Sequence, residues 1–138
     1  MFNQMQAMLD RNTQDLLAGN TQAIAQRCHY PMVVHSPTQL VPFQTAADYA
    51  ATLQHMSARL RNDYNVTGIT VRLRTMDLPR AGRFRAWATL SYHFAVDTPA
   101  HDTHVTYYCR LVGGQIMVDM LEMDCEILPD QPIRGRAA

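Results

Sequence analysis

The spacing of apolar residues changes near residue 66, and this change divides the chain into a helical half and a strand half. Before that point, apolar residues recur every three or four positions, which predicts three helices, over 3–18, 21–26 and 45–60. Gly19-Asn20 separates the first two helices, because both residues tolerate the left-handed conformation that ends a helix. Thr45 has a side chain suited to cap the start of the third.

After residue 66 apolar and polar residues alternate, as is typical of strands with one buried face. This alternation predicts four long strands, over 66–74, 84–94, 103–112 and 115–127. In the first half, two short extended arms, 32–35 and 39–43, surround the turn Ser36-Pro37-Thr38. Helices followed by a run of antiparallel strands indicate an α+β domain, with the helices on one face of the sheet.

The Gly113-Gly114 pair predicts a two-residue hairpin loop, because both central positions of such a loop need positive φ. The loop places Val112 opposite Gln115 and fixes which residues share a face. On the face expected to meet the helices, the pairs are Leu111 with Ile116, Cys109 with Val118, Tyr107 with Met120, and Val105 with Glu122. The apolar residues expected on the opposite face are Trp87, Tyr108, Met117, Leu121 and Met123.

Composition and charge limit the classes of protein to which this chain can belong. At 138 residues and 47% hydrophobic, it suits one domain over 1–129, followed by a loose polar tail over 130–138. The formal net charge of zero gives no reason to expect nucleic acid as a partner. No apolar run approaches the roughly 18 residues that span a bilayer. Since the first residues also lack a secretory leader, we expect a cytoplasmic protein with no membrane contact.

The reactive residue types exclude several chemistries. All 12 residues counted as Lys+Arg are arginine, which excludes Schiff-base chemistry on lysine and a Walker-type phosphate loop. Two segments, CHYPMVVH over 28–35 and HDTH over 101–104, bring cysteine and histidine together, but neither has the ligand spacing of a zinc site. We therefore expect a helix-to-strand junction in the first and a solvated hairpin loop in the second, with no metal and no cofactor.

The order of the predicted elements resembles that of the nuclear transport factor 2-like superfamily, including its SnoaL-like branch. LLAGNTQAIAQRCHYPMVV is similar to the helix pair that opens this fold, and VTYYCRLVGGQIMVDMLEMD is similar to its closing hairpin. The resemblance implies a curved antiparallel sheet wrapped around the three helices, with a cone-shaped apolar pocket and often a dimer. Members include isomerases, dehydratases, cyclases, epoxide hydrolases and non-catalytic proteins, so the fold alone assigns no function.

Glu122 is the strongest catalytic candidate, since the predicted register places this carboxylate on an otherwise apolar wall. Burial makes a carboxyl group hold its proton more strongly, so that it can exchange a proton near neutral pH. Tyr107 and Tyr92 could then orient a substrate carbonyl. The further predicted ligand contacts are Met120, Val118, Val105 and, at the pocket mouth, His35. Alternatively, Glu122 hydrogen-bonds a buried tyrosine or an arginine and stabilises the core.

Two classes of function follow from these residues. The first is a cofactor-independent isomerase, dehydratase or cyclase that acts on a small apolar carbonyl or hydroxyl compound. The second is a non-catalytic protein that binds a small hydrophobic ligand or serves as a homodimeric interaction module. The outer sheet face, with Trp87 near its centre, predicts a homodimer. Four arginines on the polar side of adjacent strands could meet an anion, acidic groups of a partner, or solvent: Arg72, Arg74, Arg83 and Arg85.

Overall fold

A computed structural model describes residues 1–95 and 97–125 of the chain. Its helices are α1 (Phe2–Ala18), α2 (Thr21–Ala25) and α3 (Ala46–Asn62). Its strands are β1 (Cys28–His35), β2 (Leu40–Phe43), β3 (Gly68–Met76), β4 (Arg83–His93), β5 (His101–Val112) and β6 (Gln115–Met123). Within these ranges no helix has both the length and the apolar character needed to cross a bilayer. The predicted tail over 130–138, and residues 126–129 of the predicted domain, lie outside the described residues.

The six strands form one curved, open sheet in the order β2-β1-β6-β5-β4-β3. The helices pack on one face, called here the inner face, and the opposite face is the outer face. The predicted α+β class, with three helices in the first half of the chain, is confirmed. The sheet is mixed, however, and not wholly antiparallel as predicted, because β1 runs parallel to β6 while every other neighbouring pair is antiparallel.

Local backbone and side-chain features set the helix ends and connect the helices to each other. Gly19 has a φ of 84° at the end of α1. Thr45 Oγ1 accepts a 3.2 Å hydrogen bond from the backbone N–H of Asp48 at the start of α3, as the sequence predicts. The buried Ser57 hydroxyl donates a 2.6 Å hydrogen bond to the carbonyl oxygen of Leu16, which ties α3 to the end of α1. Both long helices therefore hold a defined position over the inner face.

The segment over 101–104, predicted as a hairpin loop, instead begins β5. His101 pairs with Tyr92 of β4, and the centres of the two rings lie 6.1 Å apart. His104 Nδ1 lies 3.0 Å from the hydroxyl oxygen of Thr89. Because the two histidines are three positions apart along an extended strand, their side chains point to opposite faces and do not converge.

A β-bulge in the closing hairpin shifts its register. Near the loop the predicted register is confirmed, since Leu111 pairs with Ile116 and Cys109 pairs with Val118. The next pair after Cys109 with Val118 is Tyr108 with Met120. Asp119 lies between Val118 and Met120 and is left out of the pairing, so it is the extra residue of the bulge. A bulge of one residue moves the side chains beyond it to the other face of the sheet.

The pairs predicted beyond this bulge are therefore wrong. Val105 pairs with Met123 and not with Glu122, and Tyr107 pairs with Leu121 and not with Met120. Glu122 lies opposite Thr106, on the outer face. Two of the five apolar residues predicted for the outer face, Leu121 and Met123, lie on the inner face.

A side chain from α1 bonds the edge strand β3. Gln6 Nε2 donates a 3.0 Å hydrogen bond to the carbonyl oxygen of Val71, and Gln6 Oε1 accepts a 2.8 Å hydrogen bond from the N–H of Leu73. The carboxamide thus supplies the donor and the acceptor that a peptide group of a neighbouring strand would supply. These two bonds fix α1 along this edge of the sheet.

We expect Gln6→Ala to lower the free energy of unfolding by about 1–3 kcal/mol, because two part-buried hydrogen bonds are lost. Urea unfolding measures the change. Gln14→Ala is the matched control, since Gln14 is an exposed residue of the same helix. Equal losses in the two variants would contradict a stabilising role for the Gln6 contact.

Candidate functional site

A narrow, mainly apolar cavity of about 80 Å³ lies between the inner face and the helices. All three helices and four of the strands contribute to its walls. The residues that line it include four of the seven predicted site residues: Tyr92, Tyr107, Val105 and Val118. The cavity is therefore the feature that corresponds to the predicted pocket.

Three tyrosines, Tyr49, Tyr92 and Tyr107, supply polar groups to this cavity. Each is at most 7% exposed. Among residues 1–95 and 97–125, none of their hydroxyls has a hydrogen-bond partner. These oxygen atoms are not among the sealed polar atoms that lack a partner, so each hydroxyl reaches the open space of the cavity and can donate a hydrogen bond to an oxygen atom bound there.

Burial is the main cause that raises the pKa of each of these three hydroxyls above its ordinary value near 10. The proximity of Tyr107 and Tyr92 raises the pKa of Tyr49 further. All three side chains therefore stay protonated at physiological pH. They can donate hydrogen bonds, but they cannot act as bases.

A larger cleft of about 410 Å³ adjoins the cavity, between α3 and the β1–β2 pair. The cavity and the cleft share five lining residues, which are Tyr49, Leu53, Met56, Leu121 and Met123. The rim of the cleft is polar, with His55 and Arg59 on α3 and Ser36 and Gln39 beside the β1–β2 turn. The two spaces therefore adjoin along these five side chains.

Glu122 lies elsewhere, in an open groove of about 710 Å³ on the outer face. The hydroxyl of Tyr108 donates a 3.1 Å hydrogen bond to Glu122 Oε1, and His35 Nδ1 lies 3.5 Å from Glu122 Oε2. The side chains of His35 and Glu122 are 46% and 42% exposed, so water screens their interaction. Glu122 is thus not the buried carboxylate that the sequence predicted.

The predicted site residues are divided between the two faces of the sheet. Tyr107 and Tyr92 line the inner cavity, whereas Glu122 and His35 line the outer groove. Met120 also lies on the outer face. The sheet backbone separates the two sets. Glu122 therefore cannot exchange a proton with a ligand that the cavity tyrosines hold.

The outer face is less apolar than predicted. It keeps Trp87, Tyr108 and Met117, but Leu121 and Met123 line the cavity and the cleft on the inner side. Homodimerisation through the outer face stays a prediction.

One of the four clustered arginines is neutralised within the protein. Arg85 Nε lies 2.8 Å from Asp77 Oδ2, and the Arg85 guanidinium lies 5.0 Å from the ring centre of Trp87. In the part of the chain that the structure describes, the other three, Arg72, Arg74 and Arg83, form no ion pair. Those three remain the exposed cations of the cluster.

The CHYPMVVH segment forms β1 along its whole length, from Cys28 and not only from Met32. Cys28 is buried, and burial raises the pKa of its thiol to about 12. His29 Nδ1 lies 3.5 Å from Asp119 Oδ1, while His35 lies beside a different carboxylate. Over residues 1–95 and 97–125, no three His, Cys, Asp or Glu side chains are grouped so as to hold a metal ion.

Comparison with known proteins identifies the scaffold. No family model matches the chain, and no curated protein matches its sequence. An NTF2-like protein with a cystatin-like fold from Novosphingobium aromaticivorans is 11% identical, with a TM-score of 0.69 over 93% of this chain and 83% of that one. An NTF-2 like protein of unknown function from Shewanella oneidensis is 8% identical, with a TM-score of 0.68 over 89% of this chain and 98% of that one.

A third structure, named as a candidate scytalone dehydratase from Novosphingobium aromaticivorans, is 13% identical, with a TM-score of 0.61 over 99% of this chain and 95% of that one. At these identities the likeness concerns the fold alone. The chain therefore has the nuclear transport factor 2-like scaffold, as its sequence pattern indicated.

The predicted site residues include none of the five that line both the cavity and the cleft, among them Tyr49 and Met56. Both lie on α3 at helical spacing from Leu53, four residues before it and three after it. Their spacing from Leu53 was the signal that could have identified them.

Proposed function

We propose that the protein binds a small, mainly apolar molecule in the inner cavity, and that the tyrosine hydroxyls there hold an oxygen atom of that molecule. The observation that supports this proposal is the set of three tyrosine hydroxyls that face the cavity without hydrogen bonds to the described residues, in a space walled by apolar side chains. Apolar walls with a few convergent polar groups are typical of sites for small molecules. Tyrosine hydroxyls with raised pKa values suit a ligand carbonyl or hydroxyl oxygen.

Binding without catalysis accounts for the geometry better than proton transfer does. An enzyme of the predicted type needs an acid or base beside the ligand. None of the described residues that line the cavity or the cleft is an aspartate or glutamate, and the one histidine, His55, is at the exposed rim. The carboxylate expected to carry the reaction, Glu122, lies on the outer face. Among the described residues, the isomerase, dehydratase or cyclase hypothesis therefore has no carboxylate and no buried histidine to carry the proton in this site.

Methyl hexyl ketone is a suitable probe, since it combines one carbonyl oxygen with an alkyl chain. We expect Tyr107→Phe to weaken its binding about five- to tenfold, because one hydrogen bond to the ligand is lost. We expect Met56→Trp to abolish binding, since Met56 lines both spaces and the larger side chain would fill the region where the cleft and the cavity adjoin. Titration followed by NMR chemical shifts measures both effects.

Tyr108→Phe is the matched control for Tyr107→Phe. The two residues are adjacent on β5, but the Tyr108 hydroxyl bonds Glu122 on the outer face. We expect its affinity for the ketone to equal that of the natural protein. Equal weakening by both substitutions, or no binding of the ketone at all, would refute the proposal.

A further inference from the structure

The cleft that adjoins the cavity has, within the described part of the chain, basic but no acidic side chains on its polar rim. His55 and Arg59 are four residues apart on α3, so their side chains lie on the same side of the helix. The rim opposite them, at Ser36 and Gln39, is neutral: the N–H of Ser36 donates a 2.9 Å hydrogen bond to the carbonyl oxygen of Gln39. Among the described residues that line this cleft, none carries a negative charge.

Neighbouring side chains hold Arg59 at this rim, and some of its N–H groups remain able to donate hydrogen bonds. Its Nη2 donates a 3.2 Å hydrogen bond to the hydroxyl of Tyr64, and its guanidinium lies 5.6 Å from the centre of the Tyr64 ring. Its Nε lies 3.6 Å from Asp63 Oδ2, in a pair whose side chains are 41% and 57% exposed. A guanidinium has five N–H groups, so these contacts leave donors for an anion in the cleft.

The size of the inner cavity limits what can enter it. At about 80 Å³ it has about half the volume of an engineered cavity of roughly 150 Å³ that admits benzene. An aromatic ring does not fit within it, but the end of a linear chain does. The cleft, at about 410 Å³, has room for the rest of such a molecule.

From these observations we propose that the ligand is a linear organic acid: its carboxylate lies in the cleft beside Arg59 and His55, and its alkyl chain enters the cavity. This proposal rests on the proposed function, since it adds a charged end to a molecule whose other end meets the tyrosines. The five shared residues, four of them apolar, form the wall along which the chain runs. The molecule is thus anionic at the rim, apolar in the middle and oxygen-bearing at the inner end.

Three probes of equal chain length distinguish the contribution of the carboxylate to binding from that of the inner oxygen. Methyl hexyl ketone has only the inner oxygen, octanoate has only the carboxylate, and the ketone with its far terminal methyl replaced by carboxylate has both. We expect the keto acid to bind about tenfold more tightly than the ketone, through a charge-assisted but partly exposed contact. About 1 M NaCl should remove most of this advantage.

Arg59→Gln should remove the advantage of the keto acid over the ketone without changing the affinity for the ketone. Arg61→Gln is the matched control, because Arg61 is an exposed arginine of the same helical turn and does not line the cleft. Urea unfolding of both variants separates lost binding from the loss of the Arg59 contacts to Asp63 and Tyr64.

The outcomes distinguish this inference from the proposed function. If the ketone binds through Tyr107 but the carboxylate adds nothing, or Arg59→Gln leaves its advantage intact, the acid assignment is overturned and the proposed function stands. If octanoate binds through Arg59 while Tyr107→Phe changes no affinity, the carboxylate contact stands and the role of the tyrosines fails. If no probe binds, both proposals are overturned.

Discussion

We expect the protein to unfold in alkali, because three buried tyrosines alone lower its free energy of unfolding by about 4 kcal/mol per pH unit above about pH 11. Burial raises the pKa of Tyr49, Tyr92 and Tyr107, whereas the unfolded chain releases these protons near pH 10. Between the two values these three hydroxyls hold three protons that the unfolded chain has released, so their contribution to stability is complete below about pH 10 and is lost above it. A domain whose free energy of unfolding is about 5–15 kcal/mol loses all of it within a few pH units at that slope.

Two buried thiols make the free energy of unfolding begin to fall at a lower pH than the tyrosines do. Burial raises the pKa of Cys28 and Cys109 to about 12, above the ordinary value of 9.0. Urea unfolding at a series of pH values measures the slope, and near-ultraviolet tyrosinate absorbance shows when the hydroxyls ionise. The absorbance of the three buried tyrosines should appear together with unfolding. Their titration in a protein that is still folded would contradict their burial.

Leu9→Ala should lower the free energy of unfolding by about 3–5 kcal/mol, because Leu9 is 1% exposed and already borders a cavity that the substitution enlarges. Alanine favours helix, so the loss reflects packing and not the helix itself. The enlarged cavity should approach the volume that admits benzene, and saturating benzene should restore part of the lost stability. Urea unfolding with and without benzene measures both changes.

Leu60→Ala provides the control. Leu60 is equally buried, at 1% exposed, but does not line the cavity. We expect a comparable loss of stability that benzene does not restore. Restoration in both variants, or in neither, would show that the cavity beside Leu9 is not the preformed space described above.

Local signals in the sequence determined much of the fold correctly. The Gly19 helix end, the Thr45 cap and the Gly113-Gly114 loop each depend on neighbouring residues only, and the structure has all three. The parallel pairing of β1 with β6 joins residues almost ninety positions apart, as in His35 with Glu122. No periodicity within either segment could reveal that contact.

The candidate site could be predicted only in part, for a reason visible in β6. Met117, Leu121 and Met123 have the same sequence parity, while Ile116, Val118 and Met120 have the other. Because both parities are apolar, alternation could not show that the register shifts at Asp119. Residues before the bulge and on β4 and β5, such as Val118 and Tyr107, were placed correctly. Residues after it, Glu122 above all, were placed on the wrong face.

The contact between Gln6 and β3 also governs how copies of the protein meet one another. An uncovered strand at the edge of a sheet is a template on which a strand of another molecule can pair, and such pairing leads to aggregation. At the opposite edge β2 is only 4 residues long and contains Pro42, which has no N–H to offer. At the β3 edge the carboxamide of Gln6 occupies the carbonyl of Val71 and the N–H of Leu73. One glutamine on a helix thus occupies two of the backbone groups on which a second chain could pair along this nine-residue strand.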